Sequence, residues 1–157
     1  MKTPRLASLV VAATAFLTLA ACSDTPLADQ LAGSYSCTTT AFTRYQTPSG
    51  PYRDTAYVFK NDAILTFTRI DDNTVSLAFS SERYGQGQFN AVTLQDMNYV
   101  INFSGNGTLN QYSASYPARL SGSLGIESKA LAASADVQGY GGKMILSFTN
   151  SKSNYKP

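Results

Sequence analysis

Two cysteines, Cys22 and Cys37, and one adjacent carboxylate pair, Asp71-Asp72, are the residues best suited to covalent or acid–base chemistry, and histidine is absent. Without an imidazole, the chain can build neither a Ser-His-Asp nor a Cys-His nucleophile pair, nor the usual zinc sites. Paired carboxylates can still act on glycosides. Asp71 and Asp72, however, run into Asn73 in a turn pattern, where an Asp bonds its own backbone. The same stretch resembles a fragment of a calcium loop, but the Gly and later Glu of an EF-hand are missing. Gly85-x-Gly87 and Gly139-x-Gly141-Gly142 read as turns, because neither opens a helix that would hold a phosphate. Cys37 has no base to activate it and is expected to pack as a small apolar residue in a strand. The expectation is a protein that is not an enzyme and carries no cofactor or metal.

Cys22 has a different context. Lys2 and Arg5 precede an apolar run from Leu6 to Leu19, and small residues follow, which is the layout of a secretion signal. The run is short of the roughly 20 apolar residues a membrane helix needs. No positive charge follows Cys22, where Ser23, Asp24, Thr25 and Pro26 stand. An uncleaved helix, or a secretory signal with an incidental cysteine, is the rival reading. Leu19-Ala20-Ala21-Cys22 resembles the lipobox of bacterial lipoproteins. That resemblance implies cleavage before Cys22, diacylglycerol on its thiol and acylation of its new amino group. Several acyl chains, at about 0.8 kcal/mol per buried methylene, anchor a protein durably where one does not. Ser23 in place of Asp implies delivery to the outer membrane, with the periplasmic face and the cell surface both open.

Loss of residues 1–21 removes Lys2 and Arg5 and leaves ten Lys and Arg against ten Asp and Glu. A neutral chain of this kind lacks the basic footprint of a nucleic-acid binder. The mature organisation reads as a lipidated Cys22 with a polar tether to residue 29, one domain over 30–150, and a polar tail over 151–157. About 120 residues suffice for one core and not two.

Period-two alternation runs through that domain, the mark of strands with one buried face. Strands are expected near 33–43, 56–69, 74–81, 87–95, 99–111, 116–121, 126–137 and 143–149. Turns are expected at Asp71-Asp72-Asn73, Gly85-Gln86-Gly87, Asp96-Met97-Asn98, Gly122-Ser123-Leu124-Gly125 and Gly139-Tyr140-Gly141-Gly142. Two alternatives stay open: a hairpin at Asn106-Gly107, giving nine strands, and a helix over Lys129 to Ala135. Eight short-linked antiparallel strands hide their edges most simply by closing into an up-and-down barrel, so the expected class is all-β.

The stretches Leu31-Ala32-Gly33-Ser34-Tyr35, Asp54-Thr55-Ala56-Tyr57-Val58, Gly105-x-Gly107 after Phe103, and Tyr116-Pro117-Ala118-Arg119-Leu120-Ser121-Gly122 resemble the small calycin-like barrel lipoproteins of anaerobic Gram-negative bacteria. The resemblance spans residues 30–150 and implies the same barrel, but no assigned activity. The Gly-x-Trp of the wider lipocalin group is replaced by Gly33-Ser34-Tyr35, so lipocalin ligands do not carry over.

In such a barrel, odd and even connections gather at opposite ends. The odd ones hold Arg44, Tyr45, Tyr52, Arg53, Arg83, Tyr84, Tyr112 and Tyr140, and the even ones hold Asp71, Asp72 and Asp96. The chain enters at the even end, so a lipid anchor would turn the Tyr and Arg end away from the membrane. Amphipathic rings and planar donors suit a polar ligand such as a glycan, or an envelope protein partner. Small residues at Ala63, Ala91, Ala118, Ala133 and Ala135 either leave a ligand space in the lumen or let its walls close. The first outcome means a ligand-binding barrel, the second a docking protein.

Overall fold

Alternation holds in three dimensions. Val75, Leu77 and Phe79 are buried while Ala78 and Ser80 are exposed, and Met144, Leu146 and Phe148 are buried with Lys143 and Thr149 exposed. The computed structural model describes residues 25–47, 50–139, 142–150 and 155–156, with side chains described over 25–44, 55–139 and 142–150. The expected signal, Cys22 and Tyr140 lie outside the described residues, as do the side chains of Tyr45, Tyr52 and Arg53.

A short helix α1 (Leu27–Leu31) precedes strands β1 (Gly33–Thr47), β2 (Gly50–Arg69), β3 (Thr74–Ser81) and β4 (Gly85–Asp96). β5 (Val100–Gln111), β6 (Ala114–Gly125), β7 (Leu131–Val137), β8 (Lys143–Asn150) and β9 (Tyr155–Lys156) follow. Each strand pairs antiparallel with its sequence neighbour through β8, and β1 pairs with both β2 and β8. The result is a closed eight-stranded up-and-down barrel. β9 lies against β1 at Ser34 and Tyr35, on the flank that β8 covers from Thr38 to Arg44, so it lengthens that seam and adds no wall.

The hairpin at Asn106-Gly107 does not form. β5 runs through it, with Asn106 opposite Arg119 and Gly107 opposite Ala118. Lys129 to Ala135 is not helical either: 126–130 is a turn and β7 starts at Leu131. Two expected turns are corrected. Gly122 to Gly125 belongs to β6, because Gly122 is where the Phe103 ring lies: a Cβ there would sit 2.4 Å from its Cζ. Gly107 is the same kind of close approach, to Phe89 at 2.4 Å. Gly85 and Gly87 belong to β4, and the preceding turn is Glu82-Arg83-Tyr84. Ala91, expected on an inward face, is exposed. A bulge sets three steps of β4, from Gln88 to Ala91, against two of β5, and that extra residue reverses the side-chain parity.

The lumen is filled. Phe67 of β2 meets Phe103 of β5 at 5.3 Å between ring centroids, and Phe79 of β3 meets Phe148 of β8 at 5.0 Å. Each pair joins strands three places apart around the ring, so side chains span the interior. Ala63, Ala118, Ala133 and Ala135 are buried and let these rings reach across. Outward positions carry Ser, Thr, Asn and Gln, as at Ser80, Gln88, Thr93, Ser104, Asn106 and Asn110. That polarity is the reverse of a lipid-embedded barrel wall. Among the described residues no helix is long and apolar enough to cross a membrane.

Candidate functional site

α1 stops one end of the barrel, and its position is fixed by several contacts. Ala28 and Leu31 are fully buried, the Ala28 N–H donates to Asp72 O at 3.1 Å, and the Tyr35 hydroxyl donates to Leu31 O at 2.9 Å. Arg69 reaches Asp29 and Asp72, both at 2.6 Å, and these carboxylates raise its pKa above the ordinary guanidinium value. Asp71 accepts the Asn73 N–H at 2.9 Å, so both members of the acidic pair are occupied in holding the turn and the plug. The segment expected as a polar tether therefore ends in a structural helix from Leu27 onward.

The opposite end carries the four remaining connections. β1 and β2 stay in register from Gly33 opposite Phe67 to Cys37 opposite Ala63, after which Thr39 faces Phe59. Lys60, Asn61 and Asp62 bulge out of that step, with Asn61 in the left-handed region at φ 52°. An Asn tolerates that conformation better than other side chains. β3 pairs with β2 from Ala63, opposite Ser81, to Arg69, opposite Val75, so among the described residues β2 upstream of Ala63 has no sheet partner on its β3 side. The β1–β2 hairpin thus projects as an arm with one open edge.

A polar and aromatic ledge lines this edge. Tyr57 and Phe59 stack at 6.3 Å with 21° between planes, Tyr84 tilts onto Phe59 at 6.0 Å, and Arg83 lies over the Phe59 ring with Cζ 4.3 Å from its centroid. Beneath it, the Asp62 side chain is only 7% exposed. Its Oδ2 accepts from Ser81 Oγ at 2.6 Å, and Oδ1 lies 3.9 Å from Arg83 Nε. Ser81 Oγ in turn accepts the N–H groups of Arg83 and Tyr84 at 3.2 and 3.0 Å, and Gln111 Nε2 donates to Arg83 O at 3.0 Å. Between bulge and turn is an open cleft of about 610 Å³, lined by Val58 to Asp62, Ile64, and Ser80 to Arg83.

Of the residues singled out by sequence, Arg83 and Tyr84 come together here. Arg44, Tyr45, Tyr52 and Arg53 are placed in strands of the arm and not in a loop, a correction that follows from β1 and β2 pairing as far as Thr47 opposite Gly50. Tyr112 stands at the tip of the β5–β6 turn, exposed, with Tyr112 and Ser113 both left-handed at φ 48° and 69°. That turn meets the ledge through its neighbour Gln111, whose Nε2 donates to Arg83 O. Sequence reasoning missed Tyr57, Phe59, Asp62 and Ser81. The available signal was Lys60-Asn61-Asp62, a turn-forming triplet inside an otherwise continuous strand.

Cys37 is fully buried, its thiol 3.6 Å from Tyr35 O, and burial pushes its pKa from 9.0 up to about 12. It is therefore a protonated packing group at neutral pH. Among the described residues no three His, Cys, Asp or Glu side chains form a metal-holding group.

Among solved structures, the chain is similar to a Bacteroides fragilis protein described as an outer membrane protein, with 16% identity, a TM-score of 0.57 and 81% of this chain covered. The match covers 53% of that protein, so this chain spans about half its length. At this identity the likeness shows the barrel fold. No protein-family profile and no curated protein matches the sequence.

Proposed function

We propose that the chain is a lipid-anchored, non-catalytic protein of the outer membrane, related to the calycin-like barrel lipoproteins, that docks a protein partner on the arm and ledge. In this reading residues 1–21 are removed as a signal, Cys22 carries the acyl chains, and residues 30–150 form the presented barrel. Arg44, Tyr45, Tyr52, Arg53, Arg83, Tyr84, Tyr112 and Tyr140 belong to the binding end, with Tyr57 and Phe59 added. The description of the Bacteroides fragilis protein supports an envelope location.

The carrying observation is the coincidence of a filled lumen with an unpaired β2 edge beside the Tyr57, Phe59, Tyr84 and Arg83 ledge. Rings that span the interior occupy space a ligand within the barrel would need, which supports recognition on the surface. An open edge offers main-chain donors and acceptors to an added strand, and aromatic and Arg side chains are enriched where proteins meet. Tyr57, exposed and stacked on Phe59, favours a glycan as the second reading, since a flat exposed ring presents an apolar face to a sugar.

The test places a photo-crosslinking residue at Val58, on the open edge, or at Ser104, on the wall, in the native host envelope. A discrete protein adduct from Val58, absent from Ser104 and lost with Phe59→Ser and Arg83→Ala, supports docking. Equal labelling at both positions, or an adduct indifferent to the ledge, removes it. Native mass spectrometry of protein from the same host identifies a co-purifying glycan if that reading holds.

A further inference from the structure

We infer that the plugged end rests on the bilayer through a second, protein-borne contact made by Ile70, Met97 and Tyr99, holding the barrel upright on its anchor. This rests on the reading of Cys22 as acylated.

Exposed large apolar side chains fall into two groups. Tyr57, Val58, Ile64 and Tyr112 belong to the arm, the neighbouring wall and the opposite turns. Ile70, Met97 and Tyr99 are 54%, 59% and 75% exposed, and stand at the tips of the β2–β3 and β4–β5 connections, beside α1. Single exposed apolar residues are ordinary. Three on adjacent tips, at the end where the chain enters, are placed where a lipid surface must lie. Five extended residues reach at most about 18 Å, so an acylated Cys22 keeps Leu27 within that distance of the lipid. Thr25 and Pro26 line the same plugged end with Asp72, Asn73, Asp96 and Asn98. Because Ala28 and Leu31 are buried and Asp29 is ion-paired to Arg69, α1 is fixed to the barrel.

Charge sets the preferred surface. Arg69 offsets one of its two carboxylate partners, so among the described side chains on this end one charge of the Asp29 and Asp72 pair remains with Asp71, Asp96 and Glu127 against Lys129. A net negative rim within a Debye length of about 8 Å is repelled by anionic headgroups, so the occupant is a zwitterionic bilayer.

The chain has no tryptophan, so Tyr99→Trp and Tyr112→Trp each introduce one reporter, at opposite ends. Full-length lipidated protein is reconstituted into phosphatidylcholine vesicles with brominated acyl chains. Co-flotation with emission from Tyr99→Trp quenched at least about twofold more than from Tyr112→Trp is expected, weaker with phosphatidylglycerol present and lost on adding Ile70→Ser and Met97→Ser. If the protein floats but Tyr99→Trp is unquenched, both reporters are quenched alike, or the serine changes make no difference, the contact is wrong while the anchor stands. The first of these results would leave the tips to a protein partner. If the protein does not float, the anchor reading fails and takes this inference with it.

Discussion

Arg83 lies over Phe59, its Cζ 4.3 Å from the ring centroid, and so fastens the β3–β4 turn to the length of β2 that β3 does not cover. Its other neighbour, Asp62, is 3.9 Å away. Both interactions are modest, because the Arg83 side chain is mostly exposed: a cation–π contact of this kind is worth about 0.5–1 kcal/mol and an exposed ion pair about 0–1 kcal/mol. A residue that contributes little to folding can still dominate recognition.

Arg83→Ala is therefore expected to lower unfolding free energy by no more than about 2 kcal/mol while abolishing the Val58 crosslink. Arg83→Lys keeps the charge but replaces the guanidinium over the ring with an ammonium and should fall between the two. Urea denaturation read beside crosslink yield checks both. A large stability loss with the crosslink intact would make Arg83 a structural residue alone.

Ser81 carries more of the local stability. Its hydroxyl gives its one proton to Asp62 and accepts two turn N–H groups. Ser81→Ala leaves a nearly buried carboxylate short of a donor and two amides short of an acceptor. The expected cost is about 2–3 kcal/mol, against about 0.5 kcal/mol for an ordinary surface change. Denaturant midpoints decide it, and a change below about 0.5 kcal/mol would show that water replaces the hydroxyl fully.

The barrel is legible in the sequence because period two is a local property: Val75, Leu77 and Phe79 need no partner to declare a buried face. Connection parity then brings Arg83 and Tyr84 to one end. Glycine is where the reading fails. Gly122 beside Ser123 has turn chemistry in one dimension, yet the residue that decides its role is Phe103, on the neighbouring strand. Bulges are hidden for the same reason, since an extra residue is extra only relative to a partner. Asn61 and the Gln88-to-Ala91 step displace Tyr57 and Phe59 onto the ledge and turn Ala91 outward.

The two uses of glycine separate on substitution. Gly122→Ala sets a Cβ 2.4 Å from Phe103 Cζ and 2.6 Å from Ala132 O, and the second is backbone that cannot swing away. Overpacking of that kind costs about 1–3 kcal/mol, and the upper part of the range is expected. Gly139 has nothing within 4 Å of a Cβ but a φ of +80°. Gly139→Ala should therefore cost only the left-handed penalty of about 1–2 kcal/mol. Thermal unfolding of the two variants compares them, and a lower melting temperature for Gly139→Ala than for Gly122→Ala would contradict the packing argument.

Cys37 makes stability depend on alkaline pH in a definite direction. Burial raises its thiol from 9.0 to about 12, so the native state holds the proton where the unfolded chain releases it. Below pH 9 both states are protonated and the contribution is complete. Between 9 and 12 it declines, by at most about 1.4 kcal/mol for each pH unit. Cys37→Ala removes that dependence while opening a small cavity, at a cost of about 1 kcal/mol near neutrality. Wild type is thus expected to be the more stable at pH 8, with the difference shrinking and reversing toward pH 11, in urea titrations under reducing conditions. Tyrosine ionisation is common to both proteins and cancels in the comparison. A difference that stays constant from pH 8 to 11 would mean that the thiol is solvated in the folded barrel.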